Sequence, residues 1–352
     1  MEVLILGASY GSLLSTKLLM AGHNVTLVCL PHEAELINRS GTEVRLKLRA
    51  ENTHRSLLSD DLPGTLDATT PAKADLARYD LVGLAMQEPQ FSAAEVKALM
   101  ARIAQAQLPC LSIMNMPPLA YLRRIPALAS MSLDNCFRDA SVWAPFDPDN
   151  ITLCSPDPQA FRPPDEALNV LHVGLPTNFK AARFAKPEHQ SLLQQLSSDI
   201  AALRLDDQEV PVKLKVHDSL FVPMAKWSML LTGNYRCITE DGIRPIKEAV
   251  HSNAAESANV YAYVDELVRS IGGDSADAVP FEKYANAAES LLKPSSAARA
   301  IDAGATHIER VDRMVQTIGR AIGMQHPSVD QTVAVVDARL AANLEQQVVE
   351  PA

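Results

Sequence analysis

The stretch LILGASYGSLL, residues 4–14, joins an apolar run to a helix through a turn bounded by two glycines. The run EVLIL at 2–6 predicts a short buried strand, and Ser12–Met20 predicts a helix that ends at a glycine cap. VTLVC at 25–29 predicts a second strand. A strand, a helix and a strand in so short a span form a βαβ unit with parallel strands and a right-handed crossover. The N-terminus therefore predicts a doubly wound α/β domain.

The turn itself departs from the dinucleotide-binding pattern G-x-G-x-x-G. Gly7 suits the tight turn and Gly11 permits close packing, but Ser9 stands where the middle glycine would be, next to Tyr10. Ser9 still offers a backbone N–H to a phosphate at the start of the helix. The spacing leaves two interpretations open, a nicotinamide cofactor site or glycines that serve packing alone.

The second cofactor anchor is expected at the end of the second strand. An acid there binds the ribose of NAD, whereas an arginine accommodates the 2′-phosphate of NADP. Leu30 holds this position, followed by Pro31, His32 and Glu33. His32 remains a candidate phosphate contact and Glu33 a candidate ribose contact, with ordinary loop positions as the alternative.

Further along the chain, the predicted secondary structure changes from alternating strands and helices to helices alone. LVGLAM at 81–86 and LPCLSIMN at 108–115 predict buried parallel strands, with a helix over 92–106 between them. Short strands and loops are expected over 136–186, and a helix over 187–204. Helical segments are then predicted at 218–233, 244–272, 280–293, 295–321 and 327–346. We therefore expect a Rossmann-type α/β domain over residues 1–214 and an all-helical domain over 215–352.

Composition limits the classes of partner. The 352-residue chain carries a formal net charge of −10, which argues against nucleic acid or an anionic membrane as the main partner. It lacks an apolar run long enough to span a bilayer and a recognisable signal peptide. The five cysteines are scattered, as in a reducing compartment, so a cytoplasmic protein is predicted. The dispersed histidines show no metal-ligand spacing, so no metal is expected. The sequence contains no G-x-S-x-G motif, so a Ser-His-Asp hydrolase is not expected either.

With these features in view, the sequence resembles the ketopantoate reductase family, which reduces 2-dehydropantoate to pantoate with NADPH. The resemblance is carried by four segments in family order that run through nearly the full length: LILGASYGSLLSTKLLMAGHNVTLV, YDLVGLAMQEPQ, AKWSMLLTGN, and KPSSAARAIDAGATHIERVDRMVQTIGRAIGMQHP. The implied activity is hydride transfer to a small 2-oxo acid in a cleft between the two domains. The resemblance leaves room for a homodimer.

The resemblance assigns roles to several residues of this sequence. Lys226 matches the family's general acid, which protonates the alkoxide that hydride attack leaves. Asn115 matches an asparagine that helps to hold substrate and nicotinamide, although an Asx-turn before Pro117 is the alternative. Asn234 and Ser295 match substrate-binding positions, and Ser295 is equally suited to cap a helix.

Other matched positions differ from the family. Leu230 replaces an asparagine one turn beyond Lys226. Residues 226, 230 and 234 are spaced i, i+4 and i+8, so we expect them to share roughly one helical face, and Leu230 makes this part of the pocket less polar. His307 stands in place of a substrate-orienting glutamate, with Glu309 two residues out of register. A histidine there could donate a hydrogen bond or carry charge near an anionic substrate. Gln87 replaces a lysine that contacts the NADPH phosphate. NADP(H) is thus implied by the resemblance, while Leu30 and Gln87 leave NAD(H) open.

The sequence accordingly predicts an NAD(P)-dependent oxidoreductase that acts on a small 2-oxo acid. Two alternatives stay open. One is an opine-type or other 2-oxo acid dehydrogenase on the same architecture, suggested by Leu230 and His307. The other is a non-catalytic nucleotide-binding or sensor protein, suggested by the missing basic anchors and by a glycine turn that is one residue shorter than G-x-G-x-x-G.

Overall fold

In the computed structural model, which describes residues 1–49 and 51–349, the chain forms two compact units. The first, here called the sheet unit, contains residues 1–86, 90–121 and 141–223. The second, the helical unit, combines residues 87–89 and 122–140 with the chain from Met224 onward. The boundary that the sequence suggested at residue 214 falls on the first residue of the last strand, and the sheet unit itself continues to Pro223.

The sheet unit is built on one eight-stranded sheet. Fourteen strands are formed in the described residues: β1 Glu2–Leu6, β2 Asn24–Val28, β3 Glu43–Leu46, β4 Arg55–Leu58, β5 Leu66–Thr69, β6 Leu81–Leu84, β7 Cys110–Ile113, β8 Ile151–Ser155, β9 Gln159–Phe161, β10 Val170–Leu175, β11 Phe179–Ala182, β12 Arg204–Leu205, β13 Gln208–Glu209 and β14 Leu214–His217. The main sheet has the order β14-β11-β8-β7-β6-β1-β2-β5, and its described pairs are parallel except β8 with β11.

The helices of this unit follow the predicted βαβ pattern. They are α1 Gly11–Met20, α2 Pro31–Ser40, α3 Ala94–Gln105 and α5 Pro187–Ala202, with the single turn α4 at Leu119–Leu122. Side chains of β1 and α1, such as Ile5, Leu13 and Leu18, are fully buried in a shared core. Burial of apolar strands on both faces is what parallel sheets require, so the fold class predicted from the first strands is confirmed.

A second, smaller sheet belongs to the same unit and was not predicted. Its order is β4-β3-β10-β9, and β3 pairs in parallel with β10 although more than a hundred residues separate them. The remaining pairs of this sheet are antiparallel. We call it the accessory sheet. The accessory sheet brings the segment after β9 close to the start of α2, although more than a hundred residues separate the two in the sequence.

Lys17 of α1 is an ionisable group inside the sheet unit. Its side chain is 1% exposed, and Nζ donates to the carbonyl oxygen of Pro211 at 2.8 Å. Burial, with a smaller contribution from the positive charge of Lys213, lowers the pKa of Lys17 from 10.5 to about 7. The folded state therefore holds its proton less tightly than the unfolded chain does.

Replacement of this lysine gives a pH-dependent stability prediction. Between about pH 7 and 10 the unfolded chain binds more protons at Lys17, so wild-type stability rises with pH through that range. Lys17→Met removes this slope and is expected to raise the free energy of unfolding at pH 7 by ~1–3 kcal/mol, even after loss of one hydrogen bond. Urea unfolding at pH 6.5, 8 and 9.5 measures both effects. Lys215→Met, which replaces an exposed lysine on β14, is the matched control. If the free energy of unfolding changed equally with pH in the Lys17 and Lys215 variants, the prediction would be contradicted.

The helical unit contains seven helices in the described residues. They are α6 Lys226–Met229, α7 Ile246–His251, α8 Ala254–Ser270, α9 Phe281–Ala288, α10 Ser296–Asp302, α11 Val311–Ala321 and α12 Pro327–Val349. Two predicted segments were wrong as continuous helices. Residues 244–272 divide where Asn253 caps α8, its side chain accepting from the Glu256 N–H. Residues 295–321 divide after α10, where Gly304 adopts φ +87°.

The helix that begins at Lys226 widens after one turn. Residues 230–234 form a π-helical turn, and Gly233 leaves space there: a Cβ on it would lie 2.0 Å from the hydroxyl of Tyr284. That hydroxyl donates to the carbonyl oxygen of Met229 at 3.1 Å, a group that a regular helix would occupy itself. The expectation that residues 226, 230 and 234 share one helical face is therefore wrong, because a π-helical turn has more residues than an α-helical turn and so rotates the later positions around the helix axis.

No helix in the described ranges has the length and apolar character needed to cross a membrane.

Candidate functional site

The sheet unit encloses a cavity of about 670 Å³ at the carboxyl ends of its first strands. Cavities of this size hold small ligands and cofactors, and this edge of a parallel sheet is where such folds bind them. The walls come from the ends of β1, β2 and β6, from the starts of α2 and α3, and from the segment after β9. The lining residues are Leu6, Gly7, Ala8, Ser9, Val28, Cys29, Leu30, Pro31, Glu33, Pro71, Ala85, Met86, Gln90, Ala93, Ala94, Glu95, Val96 and Arg162.

Gly7 has a conformation that the turn requires. Its φ is +102°, and a Cβ at this position would lie 2.6 Å from the carbonyl oxygen of Ala85. Its N–H donates to the carbonyl oxygen of Val28 at 2.9 Å, which joins the turn to β2. Backbone strain and contact with the β6 end therefore both exclude a side chain here.

The rest of the turn leads into the start of α1. Ser9 lines the cavity, and the first turn of α1 contains no acid, which leaves the positive end of the helix open to an anion. Gly11 and Tyr10 do not line the cavity. A Cβ on Gly11 would lie 2.7 Å from a methyl of Ile5, so this glycine serves helix packing. Tyr10 packs edge-on against Phe179 and donates its hydroxyl to the carbonyl oxygen of Pro158 at 2.7 Å.

The end of β2 carries an ion pair that enters the cavity wall. Leu30, exposed, precedes α2, and Glu33 in the first turn of that helix accepts from the Leu30 N–H at 3.4 Å. Arg162 Nη1 donates to Glu33 Oε1 at 2.5 Å. Burial and the Glu33 carboxylate raise the pKa of the Cys29 thiol to about 12, so Cys29 remains a neutral thiol. Sequence reasoning missed Arg162, because nothing around it suggests a ligand site.

Two further predicted site residues lie outside this cavity. Asn115 follows β7 by two residues and is half-buried in the sheet unit. Gln87 belongs with Glu88 and Pro89 to the helical unit. Their roles toward a cofactor or substrate stay predictions.

In the helical unit, Lys226 begins α6 and is half-buried, while Leu230 is buried and Asn234 is half-buried in the widened turn. Ser295 makes two hydrogen bonds to the backbone of the helical unit through its hydroxyl. Its hydroxyl caps α10 by accepting from the Ala298 N–H at 3.1 Å and donates to the carbonyl oxygen of Asn234 at 2.7 Å. These contacts favour the helix-cap interpretation of Ser295 over direct substrate binding.

His307 lies in the non-helical segment between α10 and α11, not within the continuous helix predicted over 295–321. Its Nδ1 is 2.9 Å from the Thr306 hydroxyl, and burial together with nearby Arg138 lowers the pKa of His307. A histidine with a lowered pKa is neutral near pH 7, so it acts there as a hydrogen-bonding group rather than a cation. A small cavity of about 160 Å³ opens beside His307 and Arg138.

A buried acid that the sequence did not single out lies in the same unit. Glu88 accepts the Arg138 N–H with its two oxygens at 3.1 and 3.2 Å. Burial, and to a lesser degree the charge of Glu309, raises the pKa of Glu88 to about 7. Perturbed acids of this type concentrate at functional sites but also occur in structural networks. Across the described residues, no group of three or more His, Cys, Asp or Glu side chains is arranged to hold a metal ion.

Comparison with known proteins identifies the fold. The sequence matches no family model and no curated protein. Among solved structures, 2-dehydropantoate 2-reductase from Methylococcus capsulatus matches with a TM-score of 0.67 at 12% identity over 97% of this chain and 98% of that chain. D-mandelate dehydrogenase, solved with NADH and anilino(oxo)acetate, matches with a TM-score of 0.65 at 12% identity over 98% and 100%. A ketopantoate reductase from Staphylococcus aureus, described as dimeric, matches with a TM-score of 0.62 at 9% identity over 97% and 100%.

These matches place the chain in the class of proteins that combine a Rossmann-type α/β unit with a helical unit, as the sequence predicted. Within that class, the chain has the fold of the ketopantoate reductases over nearly its whole length, so the resemblance seen in the sequence is confirmed at the level of fold.

Proposed function

We propose that this protein is a nicotinamide-dependent reductase of a small 2-oxo acid. The observation that carries the proposal is the cavity at the Gly7 turn, with Ser9 and an acid-free helix start at one end and Glu33 beside the end of β2. The fold it shares with 2-dehydropantoate 2-reductases and D-mandelate dehydrogenase supports the same function.

The residues around the cavity fit a dinucleotide. Backbone N–H groups at the start of α1 suit a pyrophosphate, the Glu33 carboxylate suits ribose hydroxyls, and apolar walls such as Val28 and Val96 suit an adenine ring. When bound, the reduced nicotinamide supplies a hydride to a carbonyl carbon.

Lys226 is the proposed proton donor. As hydride adds to the carbonyl carbon, negative charge develops on the carbonyl oxygen, and the Lys226 ammonium stabilises that oxygen and transfers a proton to it. Asn115 and Asn234 are proposed to position the substrate. Ser295 is proposed to act through Asn234, whose carbonyl it holds, and neutral His307 by hydrogen bonding.

The substrate is proposed to be 2-dehydropantoate or a related 2-oxo acid. Leu230 lines the helix turn beyond Lys226 with a buried apolar side chain, so a substrate that needs fewer hydrogen bonds than 2-dehydropantoate is favoured. A homodimer is proposed because a ketopantoate reductase of the same fold is described as dimeric. A cytoplasmic location is proposed because all five cysteines, each in the described part of the chain, are free thiols.

The test is a screen of 2-oxo acids with each cofactor, following nicotinamide absorbance, together with cofactor titration by fluorescence. We expect saturable binding of at least one nicotinamide cofactor and its oxidation by one or more 2-oxo acids. Turnover only when an amino acid is added to the oxo acid would indicate an opine-type dehydrogenase instead. Absence of binding to either cofactor at millimolar concentration would contradict the proposal and favour a sensor protein.

A further inference from the structure

The ion pair between Glu33 and Arg162 lies where the fold should discriminate between the two nicotinamide cofactors. Glu33 is in the first turn of α2, directly after the strand end that faces a ribose in folds of this type. Both side chains line the cavity, yet they are largely enclosed, with 12% of the Glu33 side chain and 21% of the Arg162 side chain exposed. An enclosed ion pair is screened less by salt than an exposed one and keeps a defined geometry.

Arg162 is placed by the accessory sheet. It follows β9, whose Phe161 pairs with His172 of β10, and β10 in turn pairs with β3. The guanidinium thus reaches Glu33 across 129 residues of sequence. Its Nη1 is engaged by Glu33, and its Nη2 is buried with no hydrogen-bond partner among the described residues. The guanidinium therefore lines the cavity beside Glu33 with its Nη1 committed to the carboxylate, and it fixes the position of that carboxylate.

The carboxylate keeps capacity for a ligand. Oε1 accepts from Arg162, and among the described residues Oε2 receives only a long contact of 3.4 Å from the Leu30 N–H. A carboxylate can accept about four hydrogen bonds. The neighbouring Cys29 remains a neutral thiol and a weak acceptor, whereas the Glu33 carboxylate is a strong one.

We infer that Glu33, held in place by Arg162, accepts hydrogen bonds from the ribose hydroxyls of the adenosine half and makes the protein select NADH over NADPH. The inference rests on the proposed function, since it requires a dinucleotide in the cavity. An adenosine 2′-phosphate would remove one donor and bring additional negative charge beside the carboxylate, and both changes disfavour it. Glu33 is then a specificity residue and Arg162 a positioning residue.

The experiment measures dissociation constants for NADH and NADPH by fluorescence titration at fixed ionic strength. We expect wild type to bind NADH at least ~10-fold more tightly than NADPH. Glu33→Gln, which keeps shape and removes charge, should bring the ratio to within ~3-fold of unity, mainly by improving NADPH binding. Glu35→Gln, an exposed acid on the same helix outside the cavity lining, is the matched control and should leave the ratio unchanged.

The Arg162 variants test positioning. Arg162→Met should weaken NADH binding and bring the dissociation constants for NADH and NADPH closer together. Arg162→Lys restores a cation, so it should recover part of the NADH affinity and part of the preference for NADH. If Arg162 had only a structural role, its replacement would lower stability without changing the ratio of the two dissociation constants. Thermal melting of every variant reports folding, and Glu33→Asp, a shorter acid, replaces Glu33→Gln if that variant does not fold. The shorter carboxylate should weaken NADH binding while still disfavouring NADPH.

The outcomes separate the two proposals. Equal or tighter binding of NADPH by wild type, or a ratio that Glu33→Gln and Glu33→Asp leave unchanged, would overturn the inference while leaving the dinucleotide site intact. Binding of neither cofactor would overturn the proposed function and this inference with it.

Discussion

Lys226→Ala is expected to lower turnover by about 10²–10⁴-fold, the range that loss of a general acid usually produces. Lys226 is only half-buried at the start of α6, so its removal should leave the melting temperature close to that of wild type. Cofactor binding should also be nearly unchanged, because the residues that line the proposed cofactor cavity all lie in the sheet unit and do not include Lys226. Steady-state kinetics with the best substrate from the screen, together with cofactor titration, checks the prediction.

Two variants sharpen this test. Lys247→Ala, an exposed lysine of α7 paired with Glu289, removes the same charge elsewhere in the helical unit and should retain full activity. Lys226→Arg keeps a positive charge but cannot release a proton near neutral pH. Slow turnover in the arginine variant would confirm proton donation, whereas wild-type turnover in the alanine variant would remove Lys226 from the mechanism.

Gly7→Ala is expected to destabilise the sheet unit strongly and to weaken cofactor binding. The new Cβ would lie 2.6 Å from the Ala85 carbonyl oxygen and would occupy φ +102°, so the turn must shift or the chain must accept strain. We expect the free energy of unfolding to fall by ~3 kcal/mol or more, and cofactor affinity to fall at least ~10-fold in the protein that remains folded. Denaturant unfolding and fluorescence titration measure the two effects.

Gly22 offers a matched control for backbone strain. It also has a positive φ, +80°, but a Cβ there would meet no atom within 4 Å. Gly22→Ala should therefore cost only about 1 kcal/mol, with unchanged cofactor binding. Similar losses in the two variants would mean that strain alone, and not contact with the β6 end, explains the requirement for glycine at position 7.

Local pattern was enough to predict the start of the fold. The apolar run at β1, the glycine-bounded turn and the run at β2 each have a distinct signal, and the structure forms them within one residue of the predicted bounds. The breaks at Asn253 and after Asp302 were missed, because helix formers on both sides continue the periodicity. Capping by one asparagine and a positive φ at Gly304 end those helices, and neither leaves a strong mark in a helical pattern.

The accessory sheet shows why the candidate site was only partly predictable. Its strands are short, and EVRL at β3 gains its partner VLHVGL at β10 only through tertiary folding. Arg162 has no motif around it, and its meeting with Glu33 depends on that pairing. Glu33 itself was recognised as a candidate because the position after β2 has a known role in nucleotide-binding folds. The roles of Lys226, Asn115 and His307 came from the resemblance, and they stay predictions.

The helical unit is assembled from three separate stretches of chain, and this limits how the protein can be recombined. The Arg138 N–H donates to Glu88, which joins the two early stretches to each other. Cys136 Sγ lies 3.6 Å from the Thr317 hydroxyl, which joins one early stretch to α11. A chimera that exchanges only the chain after residue 224 with that of a relative would separate Cys136 from Thr317. Grafting a new substrate specificity onto this scaffold therefore requires residues 87–89 and 122–140 to travel with the C-terminal half.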